Sequence, residues 1–366
     1  MERVVISTGG TGGHIFPALA VAESIRELYP QAELLFLGSE QGPEGRLAQE
    51  ANIPFLGLPA RGVLGRGLRS VGTVWWLVRS LVRCWRIYAG FQPQIVIGFG
   101  SYASFVPVLL AAWKRIPTAI HEQNAYPGVT NRVLGKRVQR IFLSFPDTQG
   151  WFHPQRVQVT GNPVRTSLVS LPNKDKVYTH QTGNRVLVLG GSQGAQAINQ
   201  AIVQALPQLW SRGVHILHQA GEKHYADLYP HYKAYDGQQV QVVPFIQDMA
   251  EAYAWSDLVV SRAGASTVAE LTVVGRPSVL IPFPYAVHQH QLYNAKLLEK
   301  AGAALVVEQS YLSEVDLADM ILNLLDLPDK LQAMGRAARQ LGQPAATQVI
   351  IQEVADLAAC KGKVRS

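Results

Sequence analysis

The chain alternates short, continuous apolar runs with longer stretches in which apolar residues recur at helical spacing. In the first half the runs are residues 4–6, 34–37, 95–97, 118–121 and 141–144; in the second they are 186–189, 215–217, 240–243, 258–261 and 279–281. Runs this short, rich in Val, Ile and Leu and without polar alternation, read as parallel strands buried on both faces. Strand and helix in turn, twice over, predict an α/β fold with two parallel sheets. A further run, 157–160, precedes Gly161-Asn162-Pro163, where the joint between the halves is placed, and the polar stretch 173–184 leads into the second sheet. The predicted domains are therefore 1–162 and 163–341, followed by a tail, 342–366. After the breaker Gly342-Gln343-Pro344 this tail carries a last helix over 345–360, expected to pack back on the first domain.

Two of the runs end in glycine-rich turns of nearly the same design, Gly9-Gly10-Thr11-Gly12-Gly13-His14 and Gly190-Gly191-Ser192-Gln193-Gly194-Ala195. Each opens a helical stretch, so backbone N–H groups gather at a helix N-terminus, where the aligned peptide dipoles favour an anion. One such turn has a purely steric explanation, because a tight strand-to-helix turn needs glycine in any case. Two at matching places indicate a cleft with a phosphate site on either wall.

With 366 residues and an apolar fraction of 48%, the chain can fill two cores. Cys84 and Cys360 are too few for a disulfide framework or a four-thiolate metal site, which points to a reducing cytoplasm. No secretory signal precedes the first strand. The net charge of +7 is concentrated: residues 61–90 hold Arg61, Arg66, Arg69, Arg79, Arg83 and Arg86 and no Asp or Glu. The same segment carries Trp75, Trp76, Leu77, Val78, Leu81, Val82, Trp85 and Tyr88, and its unbroken apolar stretch falls far short of the roughly 20 residues that span a bilayer. Two readings stay open. The segment is either a helix lying among lipid headgroups with its cations on anionic lipid, or a domain helix with core tryptophans and solvated arginines. No nucleic-acid-binding motif accompanies the charge.

Small residues dominate Ser261-Arg262-Ala263-Gly264-Ala265-Ser266-Thr267-Val268-Ala269-Glu270. A ligand can approach that backbone, Ser266 and Thr267 can donate to phosphate, and Glu270 can accept both hydroxyls of a ribose or simply favour the helix dipole. His288 and His290 lack a third ligand, so a metal reading is set aside; Gln291 and Asn294 beside them suit sugar hydroxyls. His121-Glu122-Gln123-Asn124 closes a strand, where polar residues are expected to face the cleft. His14 stands in the first helix turn, where an imidazole can take a proton from a hydroxyl or cap the loop. No Asp-x-Asp occurs, so the common device for holding a divalent cation on a sugar-nucleotide diphosphate is missing. Backbone dipoles and arginine are left to meet the leaving group, and no cofactor is expected.

Together with Gly98-Phe99-Gly100-Ser101-Tyr102-Ala103-Ser104, Gly161-Asn162-Pro163-Val164-Arg165 and His290-Gln291-Leu292-Tyr293-Asn294-Ala295, these motifs resemble the MurG family of bacterial cell-wall glycosyltransferases. The resemblance implies a GT-B fold, two Rossmann-like domains with parallel sheets facing across a deep cleft. It implies transfer of N-acetylglucosamine from UDP-N-acetylglucosamine to the C4 hydroxyl of the muramoyl sugar of lipid I, with inversion, giving lipid II and UDP. The donor contacts it implies are Thr11, Gly12, Gly13, Asn124, Arg165, Ser192, Ile246, Ala265, Ser266, Thr267, Val268, Ala269, Glu270 and Gln291. Among these, Glu270 holds the ribose, the Ile246 backbone meets uracil, and Ser192 lies at the diphosphate. His14 matches the family's histidine after the glycine loop, and its proposed role is that of base.

An acceptor on a polyprenyl tail places such an enzyme on the cytoplasmic face of the plasma membrane. That favours the surface-helix reading of residues 61–90, with Trp113, Lys114 and Arg115, and leaves room for contact with other cell-wall synthesis proteins. The nearest rival is another lipid-acceptor enzyme of the same architecture, such as a diacylglycerol galactosyltransferase. A nicotinamide-dependent dehydrogenase calls for G-x-G-x-x-G with an acid about twenty residues on, which the first turn does not spell. A binding module without catalysis would not need two phosphate loops.

Overall fold

The computed structural model describes residues 1–59, 71–171, 184–191, 194–235, 239–286 and 289–362. The chain divides into two compact units, residues 1–166 with 343–366, and residues 167–342. The first unit runs β1 (Arg3–Ser7), α1 (Gly12–Leu28), β2 (Glu33–Ser39), α2 (Glu44–Glu50), β3 (Phe55–Leu58), α3 (Val71–Phe91), β4 (Ile95–Gly98), α4 (Phe105–Trp113), β5 (Thr118–Glu122), α5 (Val129–Leu134), β6 (Arg140–Leu143) and β7 (Val157–Val159). Its strands form one parallel sheet ordered β3-β2-β1-β4-β5-β6-β7. After α6 (Thr166–Val169) the second unit runs β8 (Arg185–Leu189), α7 (Gln196–Ser211), β9 (His215–Gln219), α8 (Glu222–Tyr232), β10 (Val240–Val243), α9 (Met249–Trp255), β11 (Leu258–Ser261), α10 (Ala265–Val274), β12 (Ser278–Leu280), α11 (His290–Lys300), β13 (Ala304–Val306), α12 (Leu317–Leu325) and α13 (Pro328–Leu341). Its sheet is also parallel, in the order β10-β9-β8-β11-β12-β13.

The unbroken apolar runs have a direct physical cause. Val4 and Ile6 pack on α1 under one face of the first sheet, and Val5 packs with α3 and α4 on the other. Two strands escape the sequence pattern. β3 is interrupted by Gly57 and β13 has three residues, and both lie at sheet edges where exposure dilutes the apolar run.

The last helix, α14 (Ala346–Gly362), buries Ile350, Ile351 and Val354 in the core beneath α1. Burial of three such side chains contributes about 1.5–3 kcal/mol each, far more than the half-exposed Arg140–Glu353 ion pair at 3.2 Å. The approach of this tail explains one glycine. Gly161 holds φ +83°, and a Cβ there would stand 2.3 Å from Cβ of Gln343.

α3 carries two apolar stripes. Trp76, Ser80, Cys84 and Tyr88 face inward at helical spacing, with the Tyr88 hydroxyl donating to the Pro107 carbonyl at 2.9 Å. On the other side Trp75 (61% exposed), Val78, Val82 and Trp85 (53%) form a stripe open to solvent, beside Trp113 of α4 (58%). The Arg79 guanidinium lies 4.5 Å from the Trp75 ring centroid, and Nζ of Lys114 lies 5.4 Å from that of Trp85. Each of the two open readings thus holds for part of the helix: Trp76 is core, Trp75 and Trp85 are not. Arg61, Arg66 and Arg69 fall outside the described residues.

The sheet orders locate where a ligand belongs. From β1 the chain goes to β2 on one side, and β4 then pairs on the other; β8 stands between β9 and β11 in the same way. In open parallel sheets ligands sit beyond the carboxyl ends of the strands at such a reversal, where the two loops part. The loop after β1 is the first glycine turn, and the loop after β8 is the second.

Candidate active site

In the first unit two tight turns meet. Gly10 has φ +89°, and a Cβ on it would come within 3.1 Å of Oγ of Ser101 in the loop after β4. Ser101 itself holds φ 66° and ψ 163°, a backbone region almost reserved for glycine. Its neighbour Gly100, at φ +82°, lies so close to His14 that a Cβ would stand 3.2 Å from Nδ1 of that ring. Thr11 caps α1 through its carbonyl, which accepts from the His14 and Ile15 amides at 3.0 and 3.2 Å. The Thr8 hydroxyl donates to the His14 carbonyl at 3.0 Å. His14 is therefore held by backbone on both sides. Its Nδ1 faces Oε1 of Gln123 at 2.8 Å, and among the described residues its Nε2 has no protein partner. Gly12 and Gly13 lie in the same first turn, and Arg165 stacks 4.7 Å over Phe16, one turn further along α1.

The polar run at the end of β5 differs from its expectation. His121, Glu122 and Gln123 are buried and only Asn124 is partly exposed. Burial is possible because the groups satisfy one another. The Glu122 carboxylate accepts from the Asn124 amide (3.0 Å), Nδ2 of Asn124 (3.3 Å), the Gly128 amide (3.0 Å) and Nδ2 of Asn131 (2.9 Å). Glu122 thus shapes the loop that presents Asn124.

In the second unit, Gly194 holds φ +77°, and a Cβ on it would stand 2.6 Å from the Ala220 carbonyl. Ser192 lies outside the described residues. Gln219, at the end of β9, links two loops: its carbonyl accepts from the Gly190 amide at 3.1 Å and its Oε1 from the Ile246 amide at 3.0 Å. A base docking at Ile246 must displace Gln219 from that N–H or use the carbonyl. α10 starts beyond β11, at the reversal. Ser266, Thr267, Ala269 and Glu270 are partly exposed there, whereas Ala265 and Val268 point into the core and can offer only backbone. Oε2 of Glu270 accepts from the buried Tyr253 hydroxyl at 2.9 Å, which fixes the carboxylate on the outward side of α10. Gln291 accepts from the Phe283 amide at 3.0 Å. Asn294 corrects its expectation: it is fully buried and donates to the Ala263 carbonyl at 3.1 Å, so it ties α11 to the start of α10 and cannot reach a sugar. Among the described residues, no group of three His, Cys, Asp or Glu side chains is placed to hold a metal ion.

Comparison with known proteins agrees with this arrangement. Residues 4–143 match the glycosyltransferase family 28 N-terminal domain and residues 185–353 match the family 28 C-terminal domain. The UDP-N-acetylglucosamine--N-acetylmuramyl-(pentapeptide) pyrophosphoryl-undecaprenol N-acetylglucosamine transferase of Nitratidesulfovibrio vulgaris (strain DP4) is 46% identical over 357 residues, 98% of each chain. Its namesake in Lawsonia intracellularis (strain PHE/MN1-00) is 47% identical over 356 residues, 97% of each. The crystal structure of Acinetobacter baumannii MurG superposes with a TM-score of 0.76 at 32% identity, over 97% of this chain and 100% of that one. The chain belongs to the MurG family. Its two parallel-sheet units are the GT-B architecture of MurG enzymes. A UDP-GlcNAc 2-epimerase from Neisseria meningitidis, 13% identical with a TM-score of 0.64, shares that fold.

Within this MurG-family frame, Gln219, Tyr253 and Ser101 are site neighbours that sequence reasoning missed. For Gln219 the signal was present, a polar residue closing an apolar strand; Tyr253 and Ser101 gave none, since their roles depend on contacts across the fold. Each unit also buries a neutral histidine under its loops. Burial, opposed by a bond to the Gly161 carbonyl, pushes His121 down to about 4; burial pushes His218, between Asn199 and the Tyr232 hydroxyl, down to about 3. Unfolded imidazoles take up a proton near pH 6.5. Between those values the unfolded chain binds more protons, so the stabilisation is complete above about pH 6.5 and is lost as pH falls towards the folded values. For His121 the full loss is about 3 kcal/mol. Urea midpoints are expected to fall steeply from pH 7 to pH 5, with a shallower slope in His218→Gln; equal slopes would show that His218 is not neutral in the fold.

Proposed function

We propose that this chain transfers N-acetylglucosamine from UDP-N-acetylglucosamine to the muramoyl sugar of undecaprenyl-diphospho-muramoylpentapeptide, lipid I, giving lipid II and UDP. One observation carries the reading: in a chain related to these transferases end to end, a glycine turn stands at the strand reversal of both sheets. The donor lies mainly on the second unit, with the ribose on Glu270, uracil at Ile246, and the diphosphate at the second glycine turn with Ser192 and the first turn of α10. Thr11, Gly12, Gly13, Asn124 and Arg165 complete its contacts, and Gln291 meets the sugar. The acceptor docks on the first unit with its diphosphate near the first glycine turn, and His14 accepts the proton of the C4 hydroxyl as that oxygen attacks the anomeric carbon from the side opposite UDP. The glycosidic bond to UDP breaks as the new one forms, which inverts the centre. Alignment and backbone dipoles facing the developing phosphate charge supply most of the acceleration.

Purified protein given lipid I and UDP-N-acetylglucosamine is expected to form lipid II; product from diacylglycerol and a UDP-sugar instead would replace this reading. With no Asp-x-Asp in the chain, transfer is expected to persist in excess EDTA, as radiolabel counting on the lipid fraction can establish.

The outward stripe of α3 suits the surface of an anionic bilayer. No helix among the described residues is long and apolar enough to cross a membrane. Trp75, Val78, Val82, Trp85 and Trp113 instead form an apolar patch, with exposed Arg79, Arg86 and Lys114 beside it and Arg83 paired with Glu40. Indole rings settle at headgroup depth, and each nearby cation adds about 1 kcal/mol on anionic lipid. Trp75→Ala with Trp85→Ala is expected to lower partition onto vesicles containing anionic lipid by on the order of tenfold or more, with transfer to a short-chain soluble acceptor unchanged. Equal partition in a sedimentation assay would return these tryptophans to an ordinary surface role.

A further inference from the structure

A line of hydrogen bonds runs from the Gly161 carbonyl to His14, and each link has one permitted direction. A carbonyl only accepts, so Nε2 of His121, 3.1 Å from the Gly161 oxygen, carries its proton. Burial pushes His121 down to about 4, so the ring is neutral at higher pH and Nδ1 is bare. Nδ1 therefore accepts, and Nε2 of Gln123 stands 3.2 Å away to donate. The same amide nitrogen lies 3.0 Å from the Phe99 carbonyl, its second acceptor. Turning the amide over would set its oxygen against that carbonyl and against a bare imidazole nitrogen, so the orientation is fixed. Oε1 of Gln123 then faces Nδ1 of His14 at 2.8 Å. An amide oxygen cannot donate, and the proton must lie on Nδ1 of His14. The free lone pair of that ring falls on Nε2, the nitrogen without a protein partner among the described residues.

We propose that Gln123 and His121 are positioning residues that hold His14 as its Nδ1–H tautomer and leave Nε2 as the nitrogen that accepts the acceptor's proton. This rests on the reading of His14 as base. The arrangement differs from one in which a carboxylate orients the histidine. A neutral amide fixes the tautomer without adding a negative charge beside the ring, so the imidazolium formed in the reaction is not held by an ion pair at Nδ1 and can pass its proton on. It also explains why Gly161 begins the line: with φ +83° and Gln343 packed against it, its carbonyl is locked in place by the fold of the C-terminal tail.

The test is nitrogen NMR on the full-length protein labelled at histidine, at a pH where ordinary imidazoles are neutral. The expected spectra show protonated Nδ1 and bare Nε2 in His14, and the reverse in His121; the opposite tautomer in either ring overturns the proposal without touching the base reading. Gln123→Leu is expected to lose the single His14 tautomer and to lower kcat by on the order of tenfold or more with KM for both substrates held, since a misplaced ring proton disables a base. Gln123→Glu keeps an acceptor at His14 but loses the donor to the Phe99 carbonyl and to Nδ1 of His121; it is expected to move the acid limb of the kcat profile upward, because a carboxylate stabilises the imidazolium. A kcat unchanged in Gln123→Leu, or an unmoved limb in Gln123→Glu, overturns it. Undiminished turnover in His14→Ala would instead remove the base reading itself, and these tautomers would then have no catalytic use.

Discussion

Replacing His14 with alanine is expected to lower turnover by roughly 10²–10⁴-fold, the usual worth of a well-placed general base, with little change in affinity for UDP-N-acetylglucosamine. The asymmetry follows from what the ring touches. Its backbone is fixed by Thr8 and Thr11 whichever side chain it bears, so the glycine turn keeps its shape in the variant. The lost side-chain bond to Gln123 is a single contact, worth about 1 kcal/mol of stability. What disappears is a proton acceptor used only while the C4 oxygen attacks, and an interaction made only in the transition state appears in kcat. Activity above background is expected to survive, because alignment and dipoles remain. Donor affinity by calorimetry and single-turnover transfer with lipid I separate the two effects; an alanine variant with full turnover would strike His14 from the mechanism.

Much of this arrangement is readable in the sequence, for identifiable reasons. Strands buried on both faces leave continuous runs such as Val186-Leu187-Val188, and tight strand-to-helix turns demand glycine, so both sheets and both loops leave a local signature. Position in the sheet does not. That β1 and β8 stand where the strand order reverses depends on which strands pair, and no run of residues records it.

The polar residues illustrate a second limit. His121, Glu122 and Gln123 look like a cleft-facing cluster because unpaired polar groups do not survive burial. Their partners, Asn131, Phe99 and Gly161, lie 9, 24 and 40 positions away, outside any local pattern, and make burial cheap. Asn294 is misread for the same reason, its partner being the Ala263 carbonyl. α3 shows a third limit. A helix rich in Trp and Arg offers two apolar stripes, and the sheet and α4, which it packs against, decide that Trp76 goes inward while Trp75 stays out. Ser101 is the converse case, since nothing in its identity announces φ 66°, and the conformation exists because the loops after β1 and β4 press together beside His14. Strain of that kind costs on the order of 1–3 kcal/mol and persists where the surroundings enforce it.

Glu270→Ala is expected to weaken binding of UDP-N-acetylglucosamine and of UDP by roughly 10²-fold. Two hydroxyls on an ionised carboxylate are two charge-assisted hydrogen bonds, each worth about 1.5–3 kcal/mol, less what water returns to the freed groups. The carboxylate is already aimed. The Tyr253 hydroxyl holds Oε2, and Tyr253 is in turn fixed by full burial and by Nε of Arg276 on its carbonyl at 2.7 Å. Tyr253→Phe should therefore weaken the donor by a smaller factor, through a carboxylate free to turn. A rival role for Glu270, favouring the dipole of α10, is the weaker one, since it is the sixth residue of a ten-residue helix and lies past the first turn. The two roles part on one comparison. A ribose-binding carboxylate makes the protein prefer UDP over its 2′-deoxy analogue, and Glu270→Ala erases that preference; a carboxylate serving only the dipole leaves the ratio untouched while lowering the melting temperature. A variant that still separates the two nucleotides as well as the parent would take the ribose away from Glu270 and return it to the backbone of α10.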